Sequence, residues 1–179
     1  MMSRSNPLKK KRRSAKRTLL FYGEGPHEVV FLRLLRGYYS CDSGTAVTIR
    51  PGKGGSADGV VQGAMRYSGC FQCRAVLLDN DKSRQEMEKA RALAKEHHIE
   101  LIENTPCLDA LLLEILTEEN WCGKPSASCK KEFEDSYIEK KKRSELVEYH
   151  KVFSKDLLGD ARGRMPVLER IIHLMEGGT

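Results

Sequence analysis

The chain has no apolar run approaching the roughly 20 residues needed to cross a bilayer, which argues against a membrane-spanning protein. Its first 17 residues hold no acid, and the only apolar stretch near them, Leu19 to Tyr22, is far too short for a signal peptide. A cytoplasmic location is the default expectation. In that setting the six cysteines are expected as free thiols rather than as a disulfide framework. Cys70 and Cys73 form a CxxC with no second ligand pair at matching spacing, and the pair precedes a strand instead of opening a helix. Chance thiols are the expected reading, and a structural zinc site stays open as the other. There is no internal repeat, no long low-complexity linker and no Walker A pattern, so any ATPase would be a separate polypeptide.

What is present is a chain of 179 residues with 40% hydrophobic and 31% charged residues, enough for one domain with a sizeable core. Its net charge of +6 is unevenly spread. Arg4, Lys9, Lys10, Lys11, Arg12, Arg13, Lys16 and Arg17 crowd the amino terminus, and the other 23 basic residues face 25 acids. Residues 1–17 therefore read as a disordered basic arm. Such an arm is either a solvated tail or a salt-sensitive contact to a phosphate backbone through Lys9 to Arg13, Lys16 and Arg17. A nuclear-type import signal from Lys9 to Arg13 is formally possible.

Beyond the arm, strand-like and helix-like segments alternate. Thr18 to Tyr22, Ala46 to Ile49, Arg74 to Leu78 and Ile99 to Ile102 read as strands. Pro26 suits the first turn of a helix running to about Arg36, and Asp58 to about Tyr67 a second, short one. Ser83 and Glu86 form a capping box that opens a helix with Met87, Ala90, Leu93 and Ala94 inward. Leu108 to Leu116 is a strongly apolar helix. The order implies a three-layer α/β domain with a mostly parallel four-stranded sheet over 18–120. From Trp121 on, the composition implies a helical extension packed on the same domain, with a Lys- and Glu-rich stretch from Lys130 to Lys151 and a helix from Pro166 to Glu176.

If the strands are parallel, their carboxyl edge collects Glu24, Lys53 in the Gly-rich 51–56 loop, Asp79, Asp81 and Asp109. α/β folds place their sites at that edge. Asp79 and Asp81, one residue apart, share a side if the segment stays extended. Carboxylates gathered there repel one another unless a cation joins them, and hard oxygen donors suit Mg²⁺ or Mn²⁺. The bland reading of Glu24 is a strand-to-helix turn with an acid near a helix dipole.

Tyr22-Gly23-Glu24-Gly25 after the first strand and Leu78-Asp79-Asn80-Asp81 after the third resemble the glutamate and DxD motifs of Toprim domains. These domains occur in topoisomerases, bacterial primases, a ribosomal-RNA maturase and OLD-type nucleases. Glu28, four residues beyond Glu24, matches the extended Glu-Gly-x-x-Glu pattern of the OLD and RloB-like branch. Pro106-Cys107-Leu108-Asp109-Ala110-Leu111-Leu112-Leu113 resembles the RloB-like Pro-Cys-(aromatic)-Glu-x-Trp-Leu-Leu, with Leu108, Asp109 and Leu111 as departures. The basic arm is usual in that family.

The resemblance covers about residues 4–116. It implies Mg²⁺-dependent phosphodiester cleavage of DNA or RNA, in bacterial defence or on a mobile element. By it, Asp79 and Asp81 ligate metal, and Glu24 ligates a metal or handles a proton. Glu28 and Asp109 complete a second metal position. Lys130 or Lys131, or else Lys53, stands near the transition-state charge. A strand-passage topoisomerase needs a tyrosine-nucleophile domain, and a primase a template-binding zinc module; neither is visible. The rival expectation is a non-catalytic nucleic-acid-binding protein, or a regulatory subunit of an ATPase-containing or defence complex. Oligomeric state is not legible in the sequence.

Overall fold

Four short strands, each followed by a helix, form one sheet in the computed structural model, which describes residues 15–52 and 54–179. The strands are β1 (Arg17–Gly23), β2 (Thr45–Pro51), β3 (Cys73–Asp79) and β4 (Glu100–Asn104). They are all parallel, in the order β2-β1-β3-β4. Parallel neighbours require crossover connections. Here these are α1 (Pro26–Tyr39), α2 (Ala57–Arg66) and α3 (Arg84–Glu96). The chain leaves β1 toward β2 on one side, then returns to place β3 on the other, so a topological switch point lies between β1 and β3.

Alternation along the strands sorts the side chains into two cores. Leu19, Phe21, Ala75 and Leu77 face α1, α4 (Leu108–Thr117) and the helices that follow. Val76 and Leu78 face α2 and α3, where Val60, Val61, Met87 and Ala90 meet them. The domain is thus layered, helices on both faces of the sheet. Each fully buried Leu or Phe contributes roughly 1.5–3 kcal/mol of transfer free energy, and both faces need cover because these strands are apolar on both sides.

The segment beyond Trp121 is built into the larger core. It comprises α5 (Ser126–Ser136), a 3₁₀ turn (Lys140–Lys142), α6 (Leu146–Val152), α7 (Lys155–Arg162) and α8 (Pro166–Met175). Phe153 stacks on Phe133 and on Tyr149 at centroid separations of 6.4 and 6.0 Å, Phe133 and Tyr149 are tilted to each other at 6.4 Å, and Phe31 of α1 meets Phe153 edge-on. The Lys- and Glu-rich stretch from Lys130 to Lys151 is therefore three short helical pieces, because Phe133, Ile138, Arg143 and Tyr149 must all turn inward.

Two local expectations resolve differently from the sequence reading. Ser83 does cap α3, accepting from the Glu86 N–H, but the Glu86 carboxylate reaches instead to the Ala57 N–H at 2.8 Å and caps α2. β1 begins at Arg17, inside the expected arm, and the Arg17 guanidinium donates to the Gly178 carbonyl. Lys16 is exposed beside it. Lys9, Lys10, Lys11, Arg12 and Arg13 lie outside the described residues, as does Lys53. All six cysteines are free thiols, Cys70 exposed and Cys73 half-buried. Among the described residues no helix is long and apolar enough to cross a membrane.

Candidate active site

The switch point brings the ends of β1 and β3 side by side, and the backbone stitches them there. The Glu24 N–H donates to the Leu77 carbonyl at 3.1 Å, and the Asp79 N–H donates to Glu24 Oε2 at 3.3 Å. The end of β2 is drawn in on the other side, where the Gly52 N–H meets the Gly23 carbonyl at 2.6 Å. A Cβ at Gly52 would sit 2.8 Å from the Glu24 carbonyl oxygen, so only glycine permits this approach. The result is a cleft of about 400 Å³ whose lining includes Glu24, Glu28, Asp79, His27 and Lys130.

Each acid reaches the cleft by a different local route. Asp79 has the same strand parity as Ala75 and Leu77, so it turns toward α1 and α4 and is nearly buried. Its Oδ1 accepts from the Leu108 N–H at 2.8 Å, in the first turn of α4 where the helix dipole favours negative charge, and from Asn104 Nδ2 at 3.5 Å. Glu28 occupies the third position of α1 and is also nearly buried, with Oε2 accepting from the Gly25 N–H at 2.7 Å. Glu24 sits in the turn between β1 and α1, and its Oε1 is ion-paired with Lys82 at 2.8 Å.

The cluster is electrostatically uncomfortable. Burial, then the Glu28 charge, push the Asp79 pKa up to about 7; Glu24 adds to the rise, and the Leu108 N–H and Lys130 oppose it. Burial likewise raises Glu28, with Glu24 and Asp109 adding to the shift. His27 goes the other way, to about 4, through burial and then the neighbouring Arg143 and Lys130 charges. It is neutral at pH 7.

Asp109 faces a different partner. It is fully buried and its carboxylate binds the guanidinium of Arg143, itself 1% exposed, which also reaches Glu134 at 3.0 Å and lies over the Phe133 ring at 5.5 Å. Burial alone lowers the Arg143 pKa; Asp109 and Glu134 outweigh it and hold the guanidinium charged. The Tyr149 hydroxyl beside it is pushed up to about 12 by burial.

The structure thus brings Glu24, Glu28, Asp79 and Lys130 to one cleft and leaves three of the expected residues, Asp81, Asp109 and Lys131, outside its lining, Asp109 because its carboxylate is taken by Arg143. Asp81 is exposed and outside the lining, because the chain bends at Asn80 and the two-residue strand period lapses. It instead sits near Lys82, whose pKa is raised by the Glu24 bond first and by Asp81 among lesser charges. Lys131 points away, paired with Asp135. Lys82, Asn104, His27 and Arg143 were not singled out from sequence. Lys82 carries a usable signal in its place directly after the DxD, whereas Arg143 closes a basic run that reads as solvated surface.

As a donor set, three carboxylates are hard oxygen ligands of the kind that suit Mg²⁺ or Mn²⁺. Among the described residues no three His, Cys, Asp or Glu side chains already converge as a coordination shell. Glu24 and Asp109 are each neutralised by a cation of the chain itself. Comparison with protein-family models, curated proteins and solved structures finds no match for this chain.

Proposed function

We propose that this chain is a Toprim-like, RloB-like metal-dependent nuclease that hydrolyses phosphodiester bonds of DNA or RNA in bacterial defence or on a mobile element. The observation that carries the reading is the meeting of Glu24, Glu28 and Asp79 in one cleft at the sheet's switch point, with Asp79 raised to about 7 by burial and its acidic neighbours. Carboxylates so placed are relieved by a divalent cation, and strained titratable groups in a cleft mark functional sites.

Asp79, Glu24 and Glu28 are the residues that would hold Mg²⁺ or Mn²⁺. The metal, when bound, supplies neutralisation of the scissile phosphate and a water of lowered pKa. The chain's own part is positional. The Leu108 N–H and Asn104 fix the Asp79 carboxylate, and the Gly25 N–H fixes that of Glu28. Lys82 holds Glu24 through its Oε1 and so orients the carboxylate at the cleft. Lys130, exposed at the rim, offers the cleft a cation for phosphate charge. Asp109 acts through Arg143, bracing α4 and thereby the amide that orients Asp79.

The pairing of Glu24 with Lys82 and of Asp109 with Arg143 favours a second reading, a nucleic-acid-binding or regulatory subunit whose carboxylates are structural. The two readings part in one assay. The purified chain is incubated with labelled single- and double-stranded DNA and RNA in Mg²⁺, Mn²⁺ or EDTA, beside Glu24→Ala. The nuclease reading expects cleavage in metal, none in EDTA, and loss in the variant. Binding without cleavage in every metal, with the variant indistinguishable, rejects it in favour of the second reading.

A further inference from the structure

Next to the acidic cleft lies a second notch, of about 460 Å³, between Tyr22 of β1, the loop that joins β2 to α2, and α2 itself. Gly54 lines both, so the two are adjacent. Their chemistry is opposite. Tyr22, Ser56, Gln62 and Arg66 supply the notch's polar groups, and among the described residues no acid lines it. Asp58, in the first turn of α2, is not part of that lining. The floor is the Tyr22 ring, which lies so close beneath Gly63 that a Cβ there would come within 2.7–2.9 Å of it. Glycine at 63 is what admits the ring.

Outside that lining, beside Tyr22, arginines pair with aromatic rings. Arg50 is the register partner of Tyr22 on β2, and its guanidinium lies 5.3 Å over the Tyr67 ring. Tyr67 stands 6.0 Å from Phe71, over which Arg74 sits at 5.2 Å. Arg50 and Arg66 are exposed, and neither has an ion-pair partner among the described residues. Exposed arginines and half-buried aromatic rings next to a notch with no acid among its described lining residues are the means by which proteins hold single strands: rings for the bases, cations for the backbone.

From this we infer that the β2–α2 notch is the binding groove for a single nucleic-acid strand, which it feeds toward the carboxylate cleft. The inference rests on the chain acting on nucleic acid, and it names the strandedness and the path that the proposed activity leaves open. The notch lies between a loop and a helix, and at about 460 Å³ it is of a size to seat a single nucleotide rather than a duplex. A strand lying on Arg66 and Gln62 passes Gly54 directly into the space beside Glu24.

The test is fluorescence anisotropy with the full chain, a labelled single-stranded oligonucleotide and its duplex, in EDTA so that neither cleavage nor metal is involved. Arg66→Glu and the nearly isosteric Gln62→Glu place a negative charge in the notch. Arg33→Glu, exposed on α1, applies the same charge change as Arg66→Glu elsewhere. Loss of one phosphate contact and reversal of its charge is expected to weaken single-strand binding about tenfold in Arg66→Glu. Gln62→Glu weakens it several-fold, Arg33→Glu stays within about twofold, and the single strand binds tighter than the duplex. Both notch variants binding like Arg33→Glu overturns the inference, as does a preference for duplex. Weakened binding in a chain that never cleaves keeps the groove and discards the nuclease; cleavage with indifferent notch variants does the reverse.

Discussion

Asp79→Asn is expected to abolish cleavage and, in the same molecule, to make the fold more stable. The amide keeps an oxygen to accept from the Leu108 N–H and turns its NH₂ toward the carboxylates of Glu24 and Glu28. It removes the buried charge that those acids oppose. In the absence of metal, the folded Asp79 carboxyl titrates near 7 against 3.8 for its ordinary value. Because the folded value is the higher, the native state prefers the protonated form. This costs the wild type nothing below about pH 4, progressively more as pH rises toward 7, and a constant amount above it. The penalty at pH 8 is on the order of a few kcal/mol. Thermal unfolding in EDTA should therefore show Asp79→Asn above the wild type at pH 8, by roughly 2–4 °C for each kcal/mol, with the difference closing toward pH 4. Cleavage should fall by about 10³-fold, the scale of losing a group that organises transition-state charge. A variant that is inactive but less stable at pH 8 makes Asp79 an ordinary structural acid; one that still cuts removes it from the chemistry.

Arg143→Met is expected to produce the largest loss of stability. The side chain fits the same space but leaves the Asp109 carboxylate buried without a counter-charge, close to the other acids of the cleft. Breaking a buried pair from one side costs about 3–5 kcal/mol, whereas replacing both partners by apolar groups is often close to neutral. Urea unfolding at pH 7 is the measure. Arg143→Met should lose most of that amount, and Asp109→Leu added to it should restore a large part. A loss under about 1 kcal/mol in the single variant, or no recovery in the double, contradicts the bracing role given to this pair. Since Arg143 also binds Glu134, the single variant loosens α5, which carries Lys130 to the cleft rim.

The architecture was legible because it is written in local signals that agree. β3 is an apolar run ended by an acid, and α1 opens with proline; each strand is followed by a helical period, which requires a parallel sheet. The cleft was legible for the residues whose geometry a strand end fixes, Asp79 and Glu24, whereas Glu28 entered only through the resemblance to the Glu-Gly-x-x-Glu pattern. Legibility failed where the backbone leaves regular structure. Asp81 follows the bend at Asn80, and no period rule governs a bend. Arg143 shows the other failure. It closes a run with Lys140, Lys141 and Lys142 that reads as solvated, yet it alone is drawn inside, where its planar guanidinium satisfies Asp109 and Glu134 together. The capping-box spacing assigns Glu86 to its own helix, but a tertiary neighbour, the Ala57 N–H, takes its carboxylate.

That the carboxylate cleft is a divalent-metal centre is tested most directly by metal binding, independent of any substrate. Mn²⁺ is titrated into the full chain at pH 7 and followed by calorimetry or by the signal of free Mn²⁺, beside Asp79→Asn and Glu24→Gln. The account predicts saturable binding that disappears in both variants and that releases protons, because Asp79 is partly protonated at that pH before the metal arrives. Saturable binding unchanged in both variants, or none at millimolar Mn²⁺, contradicts it.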